Sequence, residues 1–203
     1  MIYSMLMTLP TITIHPSPTA DSRTSDPSTV SIDQLRDSSM AHIADVQRGL
    51  ALFQYMLADA ATRHDTDKIT DLAGFYANFQ TGFAEQDWFD RHRKLNRHHL
   101  FQSDGVPKDV NLIDVLDLIA DCVMAGLGRA GEVYPLNLDP DVLMTAFKNT
   151  VELLKAHVVV EPLPEGAPKA TRPVVEVTDP LDGAFLTEAR MAIYGEDGYG
   201  GVL

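Results

Sequence analysis

A chain of 203 residues, 45% of them apolar, is long enough for one domain with a core and an appendage. Its net charge of −13 argues against a general grip on nucleic acid, whose phosphates need a basic face. No apolar run approaches the roughly 20 residues that cross a bilayer, and a single cysteine, Cys122, excludes an intramolecular disulfide framework and fits a reducing cytoplasm.

The opening "MIYSMLMTLP" has no basic region and reads poorly as a signal peptide. Residues 1–30, rich in Ser, Thr and Pro, read as a flexible N-terminal arm. Ser31 and Gln34 have capping-box spacing and start a helix. Along it Ile43, Val46, Leu50, Phe53 and Leu57 recur at three- and four-residue steps, an amphipathic stripe expected to face the core. A second helix is expected through "DLAGFYANFQTGFAEQ" and a third through "DWFDRHRKLNRHH". After the turn-rich "QSDGVPKD", "VNLIDVLDLIADCVMAGL" predicts a central buried helix, ended by Gly126, Gly128 and Gly131. The last helix opens with Asp139 as N-cap and Pro140 at the first helical position; Leu143, Phe147, Val151 and Leu154 are its expected core face. About five helices between 31 and 157, without alternating strands, predict an all-α fold.

Four prolines between 162 and 173 break the helical pattern, while "VVV" and "PVVEV" suit short edge strands. Residues 158–203 therefore read as an extended C-terminal tail. Val158–Val160, Val174–Val177 and Phe185–Ile193 are too apolar to lie in water over their whole length. A homo-oligomer, or docking of both terminal segments on the helical domain or on a neighbouring subunit, is the expectation.

Five of the seven histidines fall between 42 and 99. His42 alone reads as a hydrogen-bonded core residue, and the pair His98–His99 as a helix end that complements the macrodipole. Arg91, Arg93, Lys94 and Arg97 cluster beside His92, His98 and His99; this is either a solvated face or a basic pocket for a small anion. Asp114, Asp117 and Asp121 occupy one face of the apolar helix, with Asp121 expected deepest. Either that face is solvated or cations lie against it, because an unpartnered buried carboxylate is costly. Imidazole with carboxylate suits zinc, manganese, iron or nickel.

In order, "AHIADV" (His42), "RHDTDK" (His64, Asp65) and "LIADCV" (Asp121) form an H…HD…D pattern. "WFDRHRKLNRHHL" is similar to the W…H…N-x-HH stretch of small phage and bacterial HD-like proteins. Over roughly residues 40–130 the chain thus resembles the HD-domain superfamily, and residues 31–157 would be an HD-type helical bundle. The resemblance implies that His42, His64, Asp65 and Asp121 hold a divalent ion. It further implies that His92, with His98 or His99, holds a second ion bridged by Asp65; Trp88 and Leu95, at i−4 and i+3 from His92, are expected to pack behind it. One or two ions per chain are expected, and Mn, Fe, Zn, Ni and Mg are not distinguished. Lys68 occupies the lysine of the HDxxK variant, so Lys68 and Asp65 are the implied catalytic residues; Arg63, Arg93 and Arg97 are candidates to bind a substrate phosphate. The implied activity is cytoplasmic hydrolysis of a nucleotide or other small phosphoester by metal-activated water. The alternative is a phage structural or interaction protein, in the host cytoplasm or virion, whose HD-like domain is a metal-binding or inactive scaffold. A metal-free histidine network is the third reading.

Overall fold

Ser31 and Gln34 close the capping box that their spacing announces: the Gln34 N–H donates to Ser31 Oγ at 3.2 Å and the Ser31 N–H to Gln34 Oε1 at 2.9 Å. From that cap α1 runs unbroken over Ile32–Arg63 in the computed structural model, which describes residues 9–15, 25–84 and 86–162. There follow α2 (Asp67–Thr70), α3 (Leu72–Gln80), α4 (Gln86–Leu95), α5 (Leu112–Ala130) and α6 (Pro140–Ala156). Strands β1 (Ile12–Ile14) and β2 (Val158–Val160) make the one small sheet among the described residues. The fold is all-α, with five helices of nine residues or more and the single turn of α2. No helix of the described residues is long and apolar enough to cross a membrane.

The chain divides into two units, Met1–Tyr55 with Ala156–Leu203, and Met56–Lys155. In the first, β1 and β2 pair in parallel, Ile12 opposite Val158 and Ile14 opposite Val160. The strand expected at "VVV" is therefore present, and its partner comes from the segment read as a flexible N-terminal arm. Of the remaining terminal segments, residues 1–8, 16–24 and 163–203, including Val174–Val177 and Phe185–Ile193, lie outside the described residues.

The second unit has a small apolar core, Leu100, Val110, Val115 and Ala146, with Val106, Leu112, Leu118, Leu138 and Val142 packed against it. Polar side chains of α6 brace it: Asn149 Nδ2 donates to the carbonyls of Lys108 (2.9 Å) and Val110 (2.8 Å), and Thr150 Oγ1 accepts from the Leu112 N–H at 2.9 Å. Asp139 acts as the expected cap, accepting from the Asp141 N–H at 2.8 Å. Gly131, at φ 74°, ends α5 in the left-handed conformation that glycine adopts without steric cost. Gly126 lies inside α5 and does not end it. A Cβ there would sit 2.7 Å from the Glu132 carbonyl, so the missing side chain lets the chain fold back.

Two expected core faces lie open. Ile43, Val46, Leu50 and Leu57 of α1 are exposed, and the buried residues of that helix are Ser38, Leu52 and Tyr55. On α6, Leu143, Phe147 and Val151 are exposed, and the small Ala146 and Thr150 are buried. In each helix the periodicity located a real apolar stripe, but the buried contacts lie on an adjoining stripe: Ser38, Leu52 and Tyr55 in α1, and the smaller Ala146 and Thr150 in α6.

Candidate metal centre

Every element of the candidate site belongs to the second unit. Where α1 ends, His64 closes the last helical bond to the Ala60 carbonyl and Asp65 turns left-handed at φ 55°. Glycine usually takes such a position, and a non-glycine there marks strain that the surroundings must hold. Asn96 holds it: its Oδ1 accepts the Asp65 N–H at 2.8 Å. The turn separates His64 from α2, so that His64, Asp65, Asp67 and Lys68 all reach the site.

From α4, Trp88, His92 and Asn96 follow at four-residue spacing and share a face. The Trp88 ring stacks on His92 with centroids 5.1 Å apart, and its Nε1 donates to Asp71, the cap of α3, at 2.9 Å. Trp88 thus packs behind His92 as expected, whereas Leu95 is exposed and does not. His92 and His98 are each only 1% exposed, too deep to be read as a surface pair.

Asp65 lies among the imidazoles. Its Oδ1 is 3.5 Å from His92 Nε2 and 3.7 Å from His98 Nε2; its Oδ2 is 3.7 Å from His64 Nε2 and also accepts from Lys68 Nζ. Asp121 Oδ1 stands 3.8 Å from His64 Nε2, and His99 Nε2 lies 2.9 Å from His92 Nε2. Three groups of side chains stand close enough to hold an ion: His64, Asp65 and Asp121; Asp65, His92 and His99; and His64, His98 and Asp117. Two donors about 2.1 Å from one ion at a tetrahedral angle lie about 3.4 Å apart, so the spacings around Asp65 suit a divalent cation. The unsatisfied atoms point the same way. Asp65 Oδ1 and His98 Nε2 are buried without a hydrogen-bond partner, and His98 Nδ1 has only Asp117 Oδ2 at 3.5 Å, an arrangement that is costly unless something charged or polar completes it.

Two further carboxylates hold the imidazoles from behind. Asp117 Oδ1 bonds His64 Nδ1 at 2.8 Å and Asp67 Oδ2 bonds His92 Nδ1 at 2.8 Å. Each leaves Nε2 directed at Asp65, the geometry in which a ligating histidine donates its other nitrogen to a carboxylate. Asp67 and Asn96 are functional candidates that the sequence reading passed over, although "HDTD" places the former two residues after Asp65 and "LNRHH" contains the latter.

The electrostatics follow from this crowding. Burial would raise the Asp65 pKa, but Lys68, His64 and His92 outweigh it and hold the carboxyl below its ordinary value. Asp117 is lowered likewise by His98 and His64 against burial. Burial would lower the His98 pKa, yet Asp117, Asp65 and Asp121 raise it overall. Burial, with His98 and His92 alongside, pushes His99 down to about 4, so it stays neutral and keeps a lone pair at ordinary pH.

Other expectations need correction. His42 enters none of the three groups. It lies on α1 in the first unit, whereas every residue of the three groups lies in the second. Asp121 is the most exposed of the three α5 acids, its side chain 32% exposed against 15% for Asp117 and 6% for Asp114, because only the N-terminal part of α5 is buried. The cation against Asp114 is Arg97. Its Nε and Nη2 each bond the carboxylate at 2.8 Å, and its Nη1 reaches Asp109 at 3.1 Å. Arg97 therefore ties the His98–His99 loop to the start of α5 and is committed away from a substrate. Arg93 pairs with Asp90 at 2.6 Å and lies over the Phe89 ring, while Arg63 pairs with Asp59 one turn back. No protein-family model, curated protein or solved structure matches the chain, so the assignment of chemistry rests on this geometry.

Proposed function

We propose that the chain is a metal-dependent phosphohydrolase acting on a small phosphoester, with nucleotides the class that the HD resemblance favours. The observation that carries this reading is Asp65. One of its oxygens faces His92 and His98, the other faces His64 and Lys68, and the buried oxygen has no hydrogen-bond partner. His64, Asp65 and Asp121 would hold one divalent ion, and His92 with His99 or His98 would hold a second beside Asp65.

A divalent ion held there would supply a water of lowered pKa, towards ~7, and a Lewis acid for a phosphoryl oxygen. The side chains supply the rest. Lys68 Nζ, beside Asp65 and one third exposed, can turn from the carboxylate to a phosphate oxygen and offset charge that develops there. Arg63 is held only by a surface ion pair with Asp59, which is worth ~0–1 kcal/mol and releases readily. It is the one of the three proposed arginines free to bind the substrate phosphate. His99, neutral through burial, offers a lone pair at ordinary pH.

The test is hydrolysis of p-nitrophenyl phosphate and then of a nucleotide panel, with protein stripped by chelator and reloaded with manganese, cobalt, nickel or zinc. Turnover that requires metal, disappears in Asp65→Ala and survives in His42→Ala supports the proposal. A protein that takes up metal and hydrolyses nothing in either assay would instead be a metal-holding scaffold.

A further inference from the structure

We infer that Asn96 and Asp67 form a positioning relay that starts at the Asp65 backbone and ends by dictating which nitrogen of His92 is offered to a metal. The inference rests on the metal reading of the site and adds two residues that neither the resemblance nor the ligand groups assign.

The direction of each bond is settled by what each group can do. The Asp65 N–H can only donate, so the Asn96 atom 2.8 Å away must be its carbonyl oxygen, which fixes the orientation of the amide. Asn96 Nδ2 then has two protons, and two acceptors stand ready: Asp67 Oδ1 at 2.8 Å and the His92 carbonyl at 3.0 Å. Both protons are used. The nearby His92 Nδ1, 3.0 Å from Asn96 Nδ2, therefore receives no bond from the amide and must carry its own proton, which it donates to Asp67 Oδ2 at 2.8 Å. What remains on the ring is the Nε2 lone pair, 3.5 Å from Asp65 Oδ1. The stacked Trp88 ring holds the imidazole in that plane.

Asn96 is 5% exposed and His92 is 1% exposed, so water does not compete for these bonds. The relay also couples the left-handed turn to the ring: the bond that holds Asp65 in its strained conformation is the bond that orients the amide. One buried asparagine thus aligns the Asp65 carboxylate and a histidine ligand together. Asp67 and Asn96 touch no reacting atom; they act through Asp65 and His92.

The test uses the full chain in two measurements. In the metal-free wild-type protein, imidazole nitrogen shifts should show His92 as the Nδ1–H tautomer, and Asp67→Ala should shift it toward the Nε2–H form. Manganese or zinc affinity, measured by competition with a chelator, should fall 10- to 100-fold in Asp67→Ala and Asp67→Asn, the range for losing a partner of this kind. His92 and Asn96 donate to different oxygens of Asp67, and in Asp67→Asn one of those two positions becomes an NH2 donor, which is why the isosteric change should also fail. Affinity within twofold of wild type in both variants, or a wild-type His92 protonated on Nε2, overturns the relay while leaving the metal site standing. A wild-type protein that binds neither ion overturns both. Should a variant fail to fold, the wild-type tautomer still decides.

Discussion

Between His64 and Asp121 the second unit buries polar groups in matched sets; along α6 it leaves large apolar groups in water. His92, Asn96, His98 and Asp114 are buried, whereas Leu143, Met144 and Phe147 are exposed. The usual assignment of inside and outside is thus reversed in two parts of one unit. The contrast teaches that the buried apolar core of Leu100, Val110, Val115 and Ala146 is only part of what holds the unit together. Ion pairs and hydrogen bonds at Asp67, Asp114 and Asp117 tie it as well. Such a centre is stable only while its charges are compensated, so its state of loading should govern the unit's stability.

Stripping divalent ions should therefore have the largest effect. An ion present at a thousandfold excess over its Kd stabilises the folded state by about 4 kcal/mol, which for a chain of this size is a thermal shift of about 10 °C. Chelation should lower the midpoint by that amount, and readdition of metal should restore it. The protection should also depend on pH. A metal takes the neutral imidazole, and the His98 pKa is raised, so the proton competes from further up the pH scale. Protection should persist above that titration and fade as pH falls through it. A midpoint unmoved by chelator at neutral pH would place the unit's stability in its apolar contacts after all.

How much of this was legible in the chain follows from which interactions are local. The capping box of Ser31 and Gln34 and the cap of Asp139 were readable, because a cap spans two or three residues. His64, Asp65, His92, His98 and His99 were readable as residue types in order. The burial of the helices was not, since period alone cannot say which of two adjoining stripes finds a partner: α1 buries Leu52 and Tyr55, and α6 the small Ala146 and Thr150. His42 was misplaced because an order of residues says nothing about which unit each residue joins, and His42 falls in the first unit while the three groups fall in the second. Asp67 and Asn96 escaped for another reason: their role exists only through hydrogen bonds across 25 to 31 positions of sequence.

Arg97→Ala probes the polar side of the contrast at a distance from the ions. Asp114, 6% exposed, would keep its bond from the Asn111 N–H but lose two bonds from the guanidinium. Charged hydrogen bonds contribute about 1.5–3 kcal/mol each, and Arg97 is one third exposed, so a net loss of about 2–3 kcal/mol is expected. Urea unfolding should show it as a lower midpoint with an unchanged slope. Unaltered stability with a raised KM would return Arg97 to the role of phosphate clamp.

Asp65→Gly separates the turn from the ligand. Glycine adopts the left-handed conformation at no steric cost, while the aspartate there costs roughly 1 kcal/mol that its Asn96 bond offsets. Measured in chelator, the variant should stay within about 1 kcal/mol of wild type. Measured with metal, it should lose the protection that wild type gains. A variant still protected by metal would show that the ion does not rest on Asp65.

The apolar side of the contrast predicts the smallest effect. Phe147 is 53% exposed and one position from the fully buried Ala146. If water covers the Phe147 side of α6 in the folded chain, Phe147→Ser should change unfolding free energy by no more than about 0.5 kcal/mol. The neighbouring Ala146→Leu should cost about 1–3 kcal/mol, because it forces extra volume into a filled core. Equilibrium unfolding at two protein concentrations tenfold apart checks both. A loss of 2 kcal/mol or more in Phe147→Ser, with a wild-type midpoint that rises with concentration, would show that a second copy covers this face, since only association makes stability depend on concentration. The reversal of inside and outside would then belong to the isolated chain alone, and α6 would bury its large side chains between subunits.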